Sequence, residues 1–240
     1  MAEVCLGTAQ FGMQYGIANK TGKPSKKDIK KIIKYSIDSG ICYFDTAQSY
    51  GDSEIALGKT FKDFDDSINL NVVTKLSPNL NFSDLDSVIN SVNQSIKNLN
   101  TNILYGFLAH RFESITNKSF DNSMRVLKDK KLIKYSGVSV YNPEEALYAL
   151  DSDSIDIIQI PFNIFDKRWL ELDFFNKAYK LQKKIFLRSI FLQGLTLLSC
   201  KDLEKKNMKW AIKFLKEFNT LVSRTPVSYT HLRAHETRGN

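Results

Sequence analysis

Polar and titratable side chains stand in this sequence at or just beyond the residues where its short apolar runs end. The set comprises a carboxylate, an ammonium, an imidazole and several hydroxyl, amide and guanidinium groups: Asp45, Lys75, His110, Ser139, Gln159, Asn163, Arg188 and Ser189. A single member would most simply be a polar group that snorkels to solvent. An unpaired buried charge costs on the order of several kcal/mol, so packing alone does not explain so many of them. The pattern therefore predicts one shared polar site.

The amine of Lys75 suggests one chemistry for such a site. An amine in a buried pocket can attack a carbonyl carbon and form a Schiff base, which is the reaction of barrel lyases and isomerases. A carboxylate at Asp45 and a phenol at Tyr50 precede it in the sequence. Because these two groups at this spacing favour proton transfer, the Schiff-base mechanism is the least favoured chemistry for the site.

The elements that must position these residues alternate along the chain between short apolar runs and amphipathic segments. Seven runs are predicted as strands, at residues 4–7, 41–44, 69–75, 103–110, 134–140, 155–160 and 185–189. Amphipathic segments near 25–37, 53–59, 83–99, 119–130, 172–179 and 211–221, and one starting at Asn142, are predicted as helices. Most of the strands are almost continuously apolar, as parallel strands covered on both faces are. The alternation predicts a parallel α/β fold.

Two architectures share this alternation, a (β/α)8 barrel and a doubly wound sheet. A doubly wound sheet usually carries Gly-x-Gly-x-x-Gly after its first strand, whereas residues 7–12 read Gly-Thr-Ala-Gln-Phe-Gly and are predicted as a loop. A barrel needs about 250 residues, and this chain has 240. In a barrel the carboxyl ends of all strands meet at one face, which would bring the polar residues together. The barrel is therefore the predicted fold.

The most specific motif is Asp-Thr-Ala-Gln-Ser-Tyr-Gly-Asp-Ser-Glu at residues 45–54. It resembles the Asp-Thr-Ala-x-x-Tyr-Gly-x-Ser-Glu stretch of the aldo/keto reductases, and residues 6–12 resemble the Leu-Gly-Thr-x-x-Phe-Gly opening of that family. A simple strand-to-helix loop would explain Ser53 as an N-cap. It would not explain why Asp45 closes an apolar strand or why Tyr50 lies in a polar turn.

The resemblance implies a tetrad of catalytic residues, Tyr50, Lys75, Asp45 and His110. A tyrosine with its free pKa of about 10 donates a proton poorly at neutral pH, but a nearby ammonium favours the phenolate. In this arrangement Asp45 pairs with Lys75, and His110 orients the substrate carbonyl by a hydrogen bond. Tyr50 then protonates the carbonyl oxygen as hydride arrives from a nicotinamide. The implied function is NADP(H)-dependent reduction of an aldehyde or ketone to an alcohol.

The resemblance also implies the residues that bind the cofactor, which is NADP(H), with NAD(H) as the alternative. Gln159 resembles the glutamine that binds the nicotinamide carboxamide, Ser139 resembles the serine before it, and Asn163 is their predicted neighbour. Ser139 is followed by valine where the family usually has asparagine, so one hydrogen bond to the cofactor is expected to be missing. Arg188, followed by Ser189, stands where many members stack an aromatic ring on the nicotinamide.

The last part of the chain changes in composition. Residues 225–240 contain two of the three histidines, have no lysine and show no core periodicity, so they are predicted to be a non-native or disordered tail. The barrel domain is then expected to span residues 1–224 and to lack the last strand-helix unit. Because phosphate sites of barrels often use the loops after strands seven and eight, this chain is expected to bind NADP(H) weakly, to be unstable or to be inactive.

Composition bounds the other classes of function. The formal charge is +8, but the lysines are spread over helix faces without interleaved aromatic residues, so nucleic acid is not an expected partner. Cys5, Cys42 and Cys200 have no metal-ligand spacing and are predicted to be buried free thiols. No apolar run approaches the roughly 20 residues of a membrane span, and the first residues do not resemble a signal peptide. A cytoplasmic location and a small-molecule carbonyl substrate are expected.

One alternative function stays open on the sequence. A reductase-like barrel could have impaired catalysis and act as a nicotinamide-binding or partner-docking protein, as some relatives of the family do. The intact tetrad counts against this alternative. Residues 188–195 are similar to a variant in bacterial members of the family, and this similarity favours a sugar-derived or small aldehyde as substrate.

Overall fold

The computed structural model describes residues 3–64 and 69–224. Seven parallel strands form one sheet in which every strand pairs with the next along the chain. Their bounds are Cys5–Gly7 (β1), Tyr43–Asp45 (β2), Asn71–Lys75 (β3), Leu104–Ala109 (β4), Ile133–Ser139 (β5), Ile157–Pro161 (β6) and Lys184–Arg188 (β7). The sheet forms a nearly closed barrel, consistent with an incomplete (β/α)8 barrel. This sequential strand order confirms the predicted barrel, because a doubly wound sheet reverses its order at a switch point.

Helices connect the strands and cover the outside of the sheet. Their bounds are Ala9–Gly12 (α1), Lys26–Asp38 (α2), Ser53–Phe61 (α3), Leu85–Leu99 (α4), Lys118–Asp129 (α5), Pro143–Leu150 (α6), Arg168–Glu171 (α7), Phe174–Lys180 (α8), Cys200–Lys205 (α9) and Ile212–Arg224 (α10). Short 3-10 turns occupy Phe112–Thr116, Leu192–Leu197 and Lys209–Ala211. Among the helices of residues 3–64 and 69–224, none combines the length and the apolar character needed to cross a bilayer.

Local side-chain chemistry explains where several helices begin. The Ser25 hydroxyl accepts a hydrogen bond from the backbone N–H of Asp28 at 3.2 Å and caps α2. A capping box between Asn142 and Glu145 starts α6. The start of α4 differs from the prediction by one residue, because its cap is Asp84. A carboxylate accepts hydrogen bonds from the exposed N–H groups of a first turn as readily as a serine does.

The hydrophobic core has two layers, one on each face of the sheet. Side chains such as Phe44, Phe107 and Ile158 point outward and pack against the helices. Alternate residues of the same strands point inward and form a smaller cluster of Val73, Leu108 and Ile157, with aromatic rings packed against it. This alternation follows from the two-residue repeat of a strand. The inward face is therefore filled with apolar side chains through the middle of the barrel.

Some sequence predictions need correction. Residues 7–12 were expected to form a loop, but they contain the helical turn α1, and α7 and α9 were not predicted. These helices have only four to six residues, too short for a helical period to be recognised in the sequence. The three cysteines are free but half-buried rather than buried. The predicted tail, 225–240, lies outside the described residues.

A direct backbone contact between two glycines fixes the loop that follows β2. Gly51 has a φ of +56°, and a Cβ atom at this position would lie 2.3 Å from the carbonyl oxygen of Gly12. A Cβ atom on Gly12 would lie 1.7 Å from the carbonyl oxygen of Tyr50. Because neither position has room for a side chain, α1 and the loop that carries Tyr50 can pack backbone against backbone.

The Gly51→Ala variant is expected to lose stability for two reasons, the left-handed backbone and the clash with Gly12. The matched control is Gly22→Ala, since Gly22 has a φ of +76° but no atom within 4 Å of the added Cβ. Left-handed strain costs each variant about 1–2 kcal/mol, and overpacking costs Gly51→Ala about 1–3 kcal/mol more. Urea unfolding measures both free energies of unfolding. Equal losses in the two variants would contradict the proposed close contact.

Candidate active site

The polar residues predicted from the sequence reach the mouth of the barrel because of strand alternation. Residues that pack inside the barrel include Val73 and Leu108, and Lys75 and His110 lie two positions after them. The same spacing of two residues from the inward face holds for the other polar residues at the strand ends, which are Asp45, Ser139, Gln159 and Arg188. Residues i and i+2 of a strand share one face. Since all strands are parallel, the six positions lie at the same, carboxyl end of the barrel, which is where barrel enzymes have their active sites.

An ion pair between Lys75 and Asp45 lies at the centre of this layer. Lys75 Nζ lies 2.7 Å from Asp45 Oδ1, and the two side chains are 1% and 15% exposed. The same ammonium donates a second hydrogen bond, of 2.8 Å, to the backbone carbonyl of Thr46. A buried ammonium needs such partners, because removal of one member of a buried pair costs about 3–5 kcal/mol. Lys75 is therefore held as a cation in a fixed position.

Gln159 extends this pair toward β6. Its Nε2 atom donates a 2.9 Å hydrogen bond to Asp45 Oδ1, the oxygen that also binds Lys75. Its Oε1 atom is buried and has no hydrogen-bond partner within the described part of the chain. A buried amide oxygen without a partner is unfavourable, so this acceptor is available to an N–H donor of a bound molecule.

The ring of Tyr50 lies close to the ammonium. Lys75 Nζ is 5.2 Å from the centroid of this ring. The imidazole of His110 packs edge-on against it, with 6.0 Å between the two ring centroids. Tyr50, Lys75, Asp45 and His110, the four residues of the predicted tetrad, are thus brought together in space. Their catalytic roles remain a proposal.

The surroundings of His110 oppose its protonation, because burial and nearby cations outweigh the Asp45 carboxylate, which favours it. Burial lowers the pKa of its imidazole to about 4, and the Lys75 ammonium adds to this effect. The Ser49 hydroxyl lies 3.3 Å from His110 Nδ1, within hydrogen-bond distance. His110 is therefore a neutral ring at neutral pH, one that can donate a hydrogen bond but carries no charge.

A buried network supports the loop between β2 and α3. The Ser53 hydroxyl donates to the carbonyl oxygen of Thr8 at 2.8 Å and accepts from the Thr46 hydroxyl at 3.0 Å. The simple-loop alternative, in which Ser53 would be an N-cap, does not hold, since Asp52 is the cap residue of α3. Glu54 is buried and accepts a 2.7 Å hydrogen bond from a threonine hydroxyl of β3. The Ser-Glu end of the motif therefore connects the start of α3 to Thr8, to Thr46 and to β3.

Residues 3–233 match the model of the Aldo/keto reductase family. The chain belongs to the aldo/keto reductase family. In sequence it is similar to D-arabinose 1-dehydrogenase of Saccharomyces cerevisiae, with 28% identity over 151 residues. That match covers 59% of this chain and 43% of the yeast protein, so the chain spans less than half the length of this relative.

Solved structures of aldo/keto reductases have the same fold. A glycerol dehydrogenase of Gluconobacter oxydans superposes with a TM-score of 0.69 and 21% identity, over 93% of this chain and 75% of the other. An aldo/keto reductase of Klebsiella pneumoniae in complex with NADP and acetate superposes with a TM-score of 0.63 and 18% identity, over 85% and 72% of the two chains. At these identities the likeness establishes the barrel fold.

The predicted cofactor-binding residues do not all contact the predicted tetrad. Ser139 is buried and pairs in register with Gln159 across β5 and β6. Asn163 instead stabilises its own turn, since its Oδ1 accepts a 3.0 Å hydrogen bond from the backbone N–H of Phe165. Ser189 follows β7 with a φ of +61°, and its hydroxyl is 3.5 Å from Arg188 Nη1. Of these residues, Gln159 is the one in direct contact with the tetrad.

Two contributors to the site were not predicted from the sequence. Ser49 lies beside His110, and Tyr141 packs beneath the Arg188 guanidinium with 4.2 Å between Arg188 Cζ and the ring centroid. Ser49 lies at a variable position of the family motif, so the motif gave no reason to select it. Tyr141 follows β5 by two residues. Its position at the end of a strand was the available signal.

The Asp45→Asn variant is expected to lower the free energy of unfolding by about 3–5 kcal/mol, because it leaves the Lys75 ammonium buried without a counter-ion. The matched control is Asp38→Asn, which removes the same charge from an exposed pair with Lys34 whose side chains are 58% and 63% exposed. A surface pair contributes about 0–1 kcal/mol. Chemical denaturation measures both values. A loss for Asp45→Asn no larger than that of the control would contradict the central role of the buried pair.

The titration of His110 should be shifted and should affect stability. Its folded-state pKa of about 4 lies below the ordinary value of 6.5, so the folded protein favours the neutral ring. The resulting stabilisation is complete above about pH 6.5 and is lost as pH falls through 6.5 toward 4. NMR should show the His110 ring resonances, assigned by their absence in His110→Gln, moving only near pH 4. In His110→Gln this part of the pH dependence of unfolding should disappear. A midpoint near 6.5 would contradict the assigned environment.

Proposed function

We propose that this protein is an NADP(H)-dependent oxidoreductase that reduces an aldehyde or ketone to an alcohol, with Tyr50 as the proton donor. The observation that carries the proposal is the buried Lys75 ammonium. It is paired with Asp45 at 2.7 Å, and the Tyr50 ring lies 5.2 Å away. A cation held beside a phenol favours the phenolate that proton donation leaves behind. Proton transfer by a positioned side chain contributes typically about 10²–10⁴-fold to a reaction rate.

His110 orients the substrate in this proposal. When the Ser49 hydroxyl donates to Nδ1, the imidazole proton resides on Nε2, which is then a hydrogen-bond donor. Because the pKa of His110 is held at about 4, the ring polarises a carbonyl oxygen without competing with Tyr50 as an acid. The two residues therefore act on the same oxygen, one by orientation and the other by proton donation.

The residues at the mouth fit a nicotinamide cofactor. The unpartnered Oε1 of Gln159 is a suitable acceptor for a carboxamide N–H, and Ser139 lies beside it in the sheet. Asn163, Arg188 and Ser189 are proposed to line the same cofactor site. A bound nicotinamide supplies the hydride. The formal charge of +8 and the NADP bound to a structural relative support the phosphorylated form of the cofactor over NAD(H).

The sequence relative supports the substrate class, and the geometry disfavours the Schiff-base alternative. The yeast relative is a D-arabinose dehydrogenase, which agrees with a sugar-derived or small aldehyde as substrate.

A Schiff-base lysine must be neutral when it attacks a carbonyl. Lys75 Nζ instead donates two hydrogen bonds, to Asp45 and to the carbonyl of Thr46. Both contacts favour the ammonium, so Lys75 acts on Tyr50 rather than on the substrate.

The Tyr50→Phe variant tests the proton donor. Removal of the hydroxyl preserves the ring contacts with Lys75 and His110, so the fold and nicotinamide binding should persist. Aldehyde-dependent oxidation of NADPH should fall by about 10²–10⁴-fold. Quenching of protein fluorescence by NADPH should be retained.

The matched control is Tyr35→Phe, which removes a hydroxyl from the exposed outer face of α2. Its turnover should equal that of the unmodified protein. If Tyr50→Phe keeps full turnover, the proton donor is another group. If the unmodified protein binds NADPH but turns over no aldehyde, the non-catalytic binding function replaces the proposed one.

A further inference from the structure

The amino-terminal end of the barrel, opposite the candidate active site, carries a cluster of aromatic rings. The four rings belong to the first residues of their strands, and each packs edge-on against another: Tyr43, Tyr105, Tyr135 and Phe186. The centroids of Tyr43 and Tyr105 are 5.2 Å apart, and those of Tyr105 and Tyr135 are 5.1 Å apart. All four side chains are half-buried. Because the strands are parallel, the rings lie together at one end of the barrel.

Two lysine ammoniums lie over this aromatic cluster. Lys184 Nζ is 4.7 Å from the centroid of the Tyr135 ring. Lys134 Nζ is 5.3 Å from the same centroid and 5.6 Å from the centroid of Tyr105. The two ammoniums can therefore be no farther apart than their two distances to Tyr135 laid end to end. An aromatic face attracts a cation, but it does not neutralise the charge.

Neither ammonium has a counter-ion within the described part of the chain. The ion pairs formed among residues 3–64 and 69–224 all use other cations. The backbone N–H of Lys184 donates to the carbonyl oxygen of Asp156, but the carboxylate of Asp156 pairs with Lys128 at 2.6 Å. Two like charges held over one ring repel each other. An anion beside both ammoniums would therefore be bound favourably.

The phenol hydroxyls of the cluster can add hydrogen bonds to such an anion. Burial and a hydrogen bond donated to the Tyr43 hydroxyl raise the pKa of Tyr105 to about 12. The Lys184 ammonium opposes this shift, so it acts on Tyr105 as well as on Tyr135. Because the Tyr43 hydroxyl accepts the bond from Tyr105, its own proton can be donated to an oxygen of a bound anion. The cluster thus combines two cations with a phenol donor.

We propose that the amino-terminal end of the barrel binds the phosphate group of a small soluble molecule through the ammoniums of Lys134 and Lys184. Lysine binds phosphate as a point charge, without the planar two-point geometry that arginine uses for carboxylates. The site is separate from the proposed cofactor site, because Lys184 precedes Arg188 by four residues of β7, or roughly 13 Å. It does not depend on the proposed reaction.

The tyrosine rings of the cluster report binding at this end of the barrel directly. Inorganic phosphate at neutral pH should shift the NMR resonances of the Tyr105 and Tyr135 rings in a saturable way, and sodium chloride at equal ionic strength should not. The resonances are assigned by their absence in Tyr105→Phe and Tyr135→Phe. Lys134→Gln and Lys184→Gln should each raise the dissociation constant about tenfold or more, as loss of a charge-assisted hydrogen bond implies. Lys184→Arg should keep most of the binding.

The matched control is Lys31→Gln, which removes an ammonium from an exposed position on α2. Its dissociation constant for phosphate should stay within about twofold of the unmodified value, because a distant exposed charge is screened. Ring shifts that are no larger with phosphate than with chloride would overturn the proposal, as would an equal loss of binding in Lys31→Gln. If Lys184→Gln does not fold, Lys134→Gln carries the test, since Lys134 is exposed.

Two further readouts separate this site from other places where phosphate could bind. Phosphate that shifts the His110 ring resonances but leaves those of Tyr105 and Tyr135 unchanged binds at the mouth of the barrel, which overturns the proposal. Sedimentation with phosphatidylcholine vesicles that contain phosphatidic acid tests a lipid surface. Binding to these vesicles that Lys134→Gln and Lys184→Gln abolish, without any response to inorganic phosphate, would assign the two cations to lipid head groups and also overturn it.

Discussion

The buried ion pair between Lys75 and Asp45 is the interaction on which the rest of the site depends. Two neighbouring strands contribute one charge each, and the carboxylate also receives a hydrogen bond from Gln159 on β6. These contacts tie β2, β3 and β6 together across the barrel. An ammonium that is 1% exposed is tolerated only because the carboxylate and the Thr46 carbonyl replace its water. The same constraint keeps the cation beside Tyr50.

Several specific contacts fix the conformation of the loop that carries Tyr50. Backbone packing of Gly51 against Gly12 fixes the path of this loop, and the buried hydroxyl of Ser53 connects it to Thr8, the residue after β1. Neither contact touches the mouth of the barrel. The proposed role of Tyr50 requires preorganisation of this kind, because proton transfer depends on precise positioning of the donor. The loop is thus rigid where the chemistry needs it, although it is not part of the sheet.

The mouth of the barrel combines a neutral centre with a charged rim. Lys75 and Asp45 cancel each other and His110 is uncharged, so the reacting carbonyl would meet donors rather than net charge. Arg188 adds a cation at this rim, over the Tyr141 ring. A neutral centre suits a carbonyl of any kind.

The sequence by itself determined the alternation of strands and helices, the barrel and the family, because period, strand length and motif are local properties. It also predicted Asp45, Lys75 and Gln159 as site residues, because each is a polar residue near the end of an apolar strand. It did not determine the short helix α1, the burial of Ser53 or the contact between Arg188 and Tyr141. The burial of Ser53 and the contact between Arg188 and Tyr141 depend on which parts of the chain become neighbours when the sheet curves into a barrel. Contacts between residues 45 and 159, or between 12 and 51, are decided only by tertiary structure, because distance along the chain carries no information about them.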